Sequence, residues 1–219
     1  MKLAYSTIVN GDVHSYPGRV ATVIRLAGGP IACKYLPIAE NVDPTLSEDI
    51  NFFVDLVSRQ VAEDGETNAV VFTGVEPLWQ GNSITALSKH LRESGYFVKI
   101  ETSGFYSSDL HNLANIANFI SLDLKTVLRQ DKFAQLATTR AAFDVFQSNF
   151  LKSLVFLENG KAFKEVKTTI VPGFNDSLET VIELSKLIKS SCDQYALVQF
   201  MPVHLPLLDK AFEKITPPS

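Results

Sequence analysis

Hydrophobic positions along this chain alternate between two spacings. Short apolar, β-branched runs at 3–9, 20–26, 68–73, 97–101, 119–124, 163–171 and 195–201 predict strands, most of them followed closely by Gly, Pro, Asn or Asp. The first of these predicts a short edge strand running into the Asn10-Gly11-Asp12 turn. Between the runs, apolar residues fall three and four apart. Thr45 and Glu48 form a capping-box pattern ahead of a helix over 46–63, with Ile50, Phe53, Val54, Val57 and Val61 on one stripe. A helix over 82–94 buries Ile84, Leu87 and Leu91 and ends at Gly95. Further helices are predicted over 107–117 and over 131–158, the latter interrupted near Thr138 and Thr139. Asp176 and Glu179 form a second capping box, for a helix carrying Val181, Leu184, Leu187 and Ile188.

Beyond the N-terminal strand, six strands alternate with helices, which predicts a parallel α/β sheet. Right-handed crossovers leave two outcomes, an open doubly wound sheet or an incomplete barrel, and the pattern does not choose between them. No repeat or linker interrupts the chain, so residues 1–219 are expected to form a single domain.

Composition narrows the function classes. With 219 residues and 46% hydrophobic content the chain can build a substantial core. A net charge of -4 gives no electrostatic footprint for nucleic acid or an anionic membrane. No signal-peptide pattern and no apolar run of about 18 residues occur, so a cytoplasmic protein is expected. Cys33 and Cys192 are too few for a disulfide framework and suit a reducing compartment.

In parallel α/β architectures functional groups collect at the C-terminal ends of strands. The polar clusters of this sequence lie there. The run at 68–73 leads into Gly74-Val75-Glu76-Pro77, where the glycine permits close backbone approach and Glu76 could meet an ammonium group or simply start a helix. Ser103 follows the run at 97–101, in Glu101-Thr102-Ser103-Gly104. Asp123 and Lys125 share one face of the next strand, as a ligand-binding pair or as a surface ion pair. Thr168-Thr169-Ile170-Val171-Pro172-Gly173 closes the fifth strand of the six, and His204 follows the sixth. His14, His90 and His111 have no such context and are expected on surfaces.

Taken together, these segments resemble the glycyl-radical-enzyme activases, a branch of the radical SAM superfamily. The resemblance runs from Tyr16 to His204, in order and at the strand ends. It favours an incomplete (β/α)6 barrel of the TIM type. It implies that Gly74, Val75, Glu76 and Pro77 stand where the family has Gly-Gly-Glu-Pro, which binds the amino group of S-adenosylmethionine (SAM). It implies, likewise, that Ser103, Asp123, Lys125, Val171 and His204 face the cofactor, with Val171 on the adenine and His204 near the ribose. Val75 departs from the family's second glycine. A β-branched residue there requires negative φ.

In the family three cysteines on the loop after the first barrel strand hold a four-iron cluster. On this sequence the resemblance puts them at Gly29, Cys33 and Leu36, so one thiolate remains, and Cys192 is expected at the opposite barrel face. Cluster ligation needs thiolates, with occasional histidine replacement. Three readings follow. The first is a catalytically silent homologue, without a four-iron cluster, that binds SAM or a related nucleoside and acts with a protein partner, a glycyl radical enzyme or an intact activase. The second is an active radical SAM enzyme with other cluster ligands. The third is a barrel enzyme without radical chemistry, using Glu76, Asp123, Lys125 and His204. Cys33 itself reads either as a small buried hydrophobe or as a reactive thiol.

Overall fold

The computed structural model describes residues 1–36, 46–139, 141–201 and 206–216. Two antiparallel strands open the chain, β1 (Lys2–Asp12) and β2 (Val20–Leu26). Two short strands follow, β3 (Ile31–Cys33) and β4 (Leu46–Asp49), and then α1 (Ile50–Asp64). Next come β5 (Thr67–Gly74), α2 (Gly81–Glu93), β6 (Phe97–Thr102), α3 (Ser107–Leu113) and β7 (Phe119–Asp123). The remainder comprises α4 (Gln130–Leu136), β8 (Ala137–Thr139), α5 (Phe143–Asn159), β9 (Phe163–Ile170), α6 (Leu178–Ile188) and β10 (Gln194–Gln199).

One eight-stranded sheet runs β10-β9-β7-β6-β5-β2-β1-β4. Every contact from β2 through β10 is parallel. Those strands stand side by side in chain order, with no reversal of direction along the sheet. A doubly wound sheet would reverse its order at a switch point. The arrangement is therefore that of an incomplete (β/α)6 barrel, extended at one edge by β1 and β4.

Strand alternation divides the side chains between two faces. Ile24, Leu26, Val70, Phe72, Val98, Ile100, Ile120 and Leu122 join the helices in the main core. Fully buried Phe53 and Val57 fix α1 onto that core, each side chain contributing roughly 2 kcal/mol by removal from water. On the inner face, Ala21, Val23, Ala69, Val71 and Phe119 pack with Tyr16 as an apolar plug near the N-terminal ends. Farther along, the same inner face turns polar.

Several predicted boundaries move. β1 is not the edge strand, because β4 pairs along its outer side from Lys2↔Asp49 to Tyr5↔Leu46. That pairing holds residues 46–49 extended, so the first helix starts at Ile50 rather than 46. Its cap is Asp49, whose carboxylate accepts from the Asn51 N–H at 3.1 Å. Thr45 lies outside the described residues. The last helix is capped by Ser177, not Asp176: its Oγ accepts from the Thr180 N–H at 3.2 Å. α3 ends at Leu113, short of the expected 117. The interruption at Thr138 and Thr139 is real and has a cause. Those residues form β8, which pairs antiparallel with β3 across the mouth of the barrel. No described helix is long and apolar enough to cross a membrane.

Candidate functional site

The end of β5 is built around a close approach. Gly74 has φ 118, and a Cβ there would fall 2.1 Å from the Leu26 carbonyl oxygen. Only glycine lets the ends of β2 and β5 meet, and the Val75 N–H then donates to Leu26 O at 3.3 Å. Val75 itself adopts negative φ, as do all described non-glycine residues. Its side chain points at the loop after β2. A Cβ placed on Gly29 would lie 2.9 Å from Val75 Cγ1 and 2.9 Å from Glu76 Cβ, closer than real Cβ atoms come.

Glu76 is fully buried, and its own chain satisfies it. Oε1 accepts from Thr102 Oγ1 at 2.7 Å and from the Leu78 N–H at 3.1 Å. Oε2 accepts from the Ser103 N–H at 3.0 Å and from Ser103 Oγ. Burial pushes the carboxyl above its ordinary pKa, against these hydrogen bonds. Glu76 thus ties the end of β5 to that of β6 and caps the short 3-10 turn Pro77–Gln80.

Beyond these turns, the strand ends and the β3 loop enclose a cavity of about 210 Å³. Gly74, Val75, Ser103, Asp123 and Lys125 line it, so the structure brings five of the expected site residues together. Glu76 and Pro77 are buried and do not line it. Val171 is fully buried in a neighbouring apolar cluster with Cys33, Tyr35, Phe200 and Phe212. His204 lies outside the described residues. His14, His90 and His111 are exposed, as expected.

Two linked ion-pair groups give the cavity its character. Lys125 Nζ donates to Asp123 Oδ2 at 2.6 Å, and the lysine side chain is only 5% exposed. This pair is internal, not a surface bridge. Burial disfavours the lysine charge, but Asp123 and the neighbouring Cys33 and Tyr35 groups outweigh that and hold its pKa well above the ordinary value. Asp123 Oδ1 is buried with no hydrogen-bond partner among the described residues. Glu101 receives Lys99 at 3.1 Å and Lys167 at 3.0 Å, with Thr73 Oγ1 donating at 2.9 Å. Burial alone would raise the Glu101 pKa, yet the two ammonium groups hold it down at about 2.

Sequence reasoning did not single out Arg25, Tyr35 or Lys167 as cavity residues. A signal was present for two of them. Arg25 is in phase with inward-facing Ala21 and Val23, and Lys167 is in phase with Glu165 on β9. Tyr35 is buried on the β3 loop, and burial raises its phenol pKa against the Lys125 charge. Cys33 is 6% exposed on the cavity wall. Cys192 precedes β10, at the end of the sheet away from the cavity.

No family model matches the chain. Whole-length relatives do. A protein named as a glycyl-radical enzyme activating enzyme in Methanocaldococcus jannaschii is 27% identical over 220 residues, covering 100% of this chain and 88% of the relative. The pyruvate formate-lyase-activating enzyme of Clostridium pasteurianum is 23% identical, covering 95% and 88%. Among solved structures, a radical SAM methyltransferase from Sphaerobacter thermophilus superposes with a TM-score of 0.59 at 15% identity, over 83% of this chain and 56% of that one. The chain is thus similar over its whole length to the activase branch of the radical SAM superfamily, and it has that superfamily's incomplete-barrel fold.

Proposed function

We propose that the protein is a catalytically silent radical SAM activase homologue, cytoplasmic, that binds SAM or a related nucleoside at the strand ends and acts through a protein partner. The observation that carries this reading is the packing of Val75 against Gly29. The resemblance puts one cluster thiolate at position 29 and one at position 36. At 29 the space a side chain would need is filled by Val75 and Glu76, and Leu36 has no donor atom. Among the described residues no group of three His, Cys, Asp or Glu side chains could hold a metal ion. On this reading the donor set does not fit a four-iron cluster, which needs three protein thiolates or their equivalents.

Binding is supported by the cavity itself. Ser103, Asp123 and Lys125 line one space at the strand ends, where a small polar ligand would meet groups of both charge signs. Glycyl radical enzymes or intact activases are the partners consistent with the names of the relatives. Calorimetry with SAM, run beside an anaerobic cleavage assay with reductant, tests both halves. The expected result is saturable binding without release of methionine and 5′-deoxyadenosine. Release of those products by the pure protein would overturn the proposal.

A further inference from the structure

The cavity mouth is walled by a second apolar cluster, separate from the main core. Cys33, Tyr35, Val171 and Phe200 are buried there with Leu207 and Phe212 of the C-terminal segment. Cys33 and Tyr35 also line the cavity, so the β3 loop is the partition between cluster and cavity. Residues 207–215 fold upon themselves. The Leu207 N–H donates to Glu213 Oε1 at 3.0 Å. The Phe212, Glu213 and Ile215 N–H groups donate to the Asp209, Lys210 and Phe212 carbonyls at 3.1, 3.2 and 3.2 Å. Only Leu207 and Phe212 are buried, while Leu208, Lys210, Ala211, Glu213 and Lys214 face solvent. The Phe212 ring lies 6.2 Å from that of Tyr35 and 4.8 Å from that of Phe174. Two backbone hydrogen bonds fasten the segment to the β3 loop. The Leu208 N–H donates to Leu36 O at 2.9 Å, and the Asp209 N–H to Lys34 O at 3.0 Å.

We propose that residues 207–215 form a strap that holds the β3 loop over the cavity and opens as a unit while the barrel stays folded, gating the entry of small molecules. A segment with its own hydrogen bonds, two apolar anchors and an exposed outer face belongs to the low-stability end of a structure. Opening removes both bonds to the β3 loop and the ring against Tyr35, and leaves the pairing of β3 with β8. Cys33, 6% exposed when the strap is closed, then meets solvent. Cys192 packs instead against the main core. The two thiols therefore report two different openings.

Iodoacetamide labelling of the full chain, followed thiol by thiol with no ligand present, tests the strap independently of the proposed function. Phe212→Ala should raise the Cys33 labelling rate at least about tenfold and leave the Cys192 rate unchanged, because labelling tracks the population of the open form. Glu213→Ala, an exposed position whose carboxylate closes the strap on Leu207, should raise the Cys33 rate by a smaller factor. Hydrogen exchange of the wild type needs no variant: the Leu208 and Asp209 amides should exchange together, ahead of those of β5 and β6. Cys33 labelling that is unmoved by both substitutions, or that rises only in step with Cys192, would overturn the proposal. So would Leu208 and Asp209 amides that exchange no earlier than those of β5 and β6.

Discussion

A Cβ on Gly29 would fall 2.9 Å from Val75 Cγ1, so the loop after β2 and the turn after β5 are packed as a lock. On the proposed reading, the valine at 75 and the glycine at 29 are one packing event: the side chain gained at one position occupies the space a ligand would need at the other. Gly29→Ala should lower stability by about 1–3 kcal/mol through overpacking. Val75→Ala should recover part of that loss, giving a coupling of about 0.5 kcal/mol or more in a double-mutant cycle. Recovery should be incomplete, because Glu76 Cβ stays at 2.9 Å. Urea denaturation of the four proteins measures the coupling, and strict additivity would contradict the lock.

Glu76 predicts a stability effect that needs no ligand. Removing its carboxylate strands the Thr102 hydroxyl and the Leu78 and Ser103 N–H groups. Glu76→Ala should therefore cost about 3 kcal/mol or more in the absence of any nucleoside. An unchanged denaturation midpoint would show that Glu76 is held for binding alone.

Glu101 predicts a pH dependence. Its pKa in the folded protein, about 2, lies below the ordinary 4.5, so its stabilising contribution is fully present above that ordinary value and is lost as pH falls toward about 2. Between those limits the unfolded chain binds a proton that the folded one refuses. Glu101→Gln should flatten the fall in stability over this acid range. It should also destabilise at neutral pH by about 3 kcal/mol, because Lys99 and Lys167 lose their common partner. Denaturation midpoints measured at intervals down the acid range check both outcomes.

The cavity pair predicts a binding phenotype. Lys125→Met leaves the Asp123 carboxylate without its hydrogen-bond partner, so it should destabilise the fold by about 3 kcal/mol. On the proposed reading it should also weaken SAM binding by about tenfold or more, and unchanged affinity would contradict the role of the pair in binding. Calorimetry on the variant, with circular dichroism as the folding control, tests it.

Much of the barrel could be read from the chain because its parallel strands are β-branched runs closed by breakers, a local signal. Strand period also put Asp123 and Lys125 on one face, where they meet at 2.6 Å. What stayed hidden was non-local. β3 and β8 have three residues each and pair Ile31 with Thr139, so no window of sequence contains their reason for being extended. The same holds at 46–49, where pairing with β1 overrides a plausible cap and moves the helix start to Ile50. At the site, Glu76 was legible as a carboxylate at a strand end, but its four donors come from two separate turns. Arg25 and Lys167 were in phase with inward residues and could have been found by extending the alternation argument to every strand.

The proposed function requires a scaffold that holds no four-iron cluster. The most direct measurement is the absorbance spectrum, with iron and sulfide counts, of the protein after anaerobic reconstitution. A colourless protein that retains no stoichiometric iron is the expected result. A broad band near roughly 400 nm with about four irons per chain would contradict it and point to ligands other than side chains at positions 29 and 36.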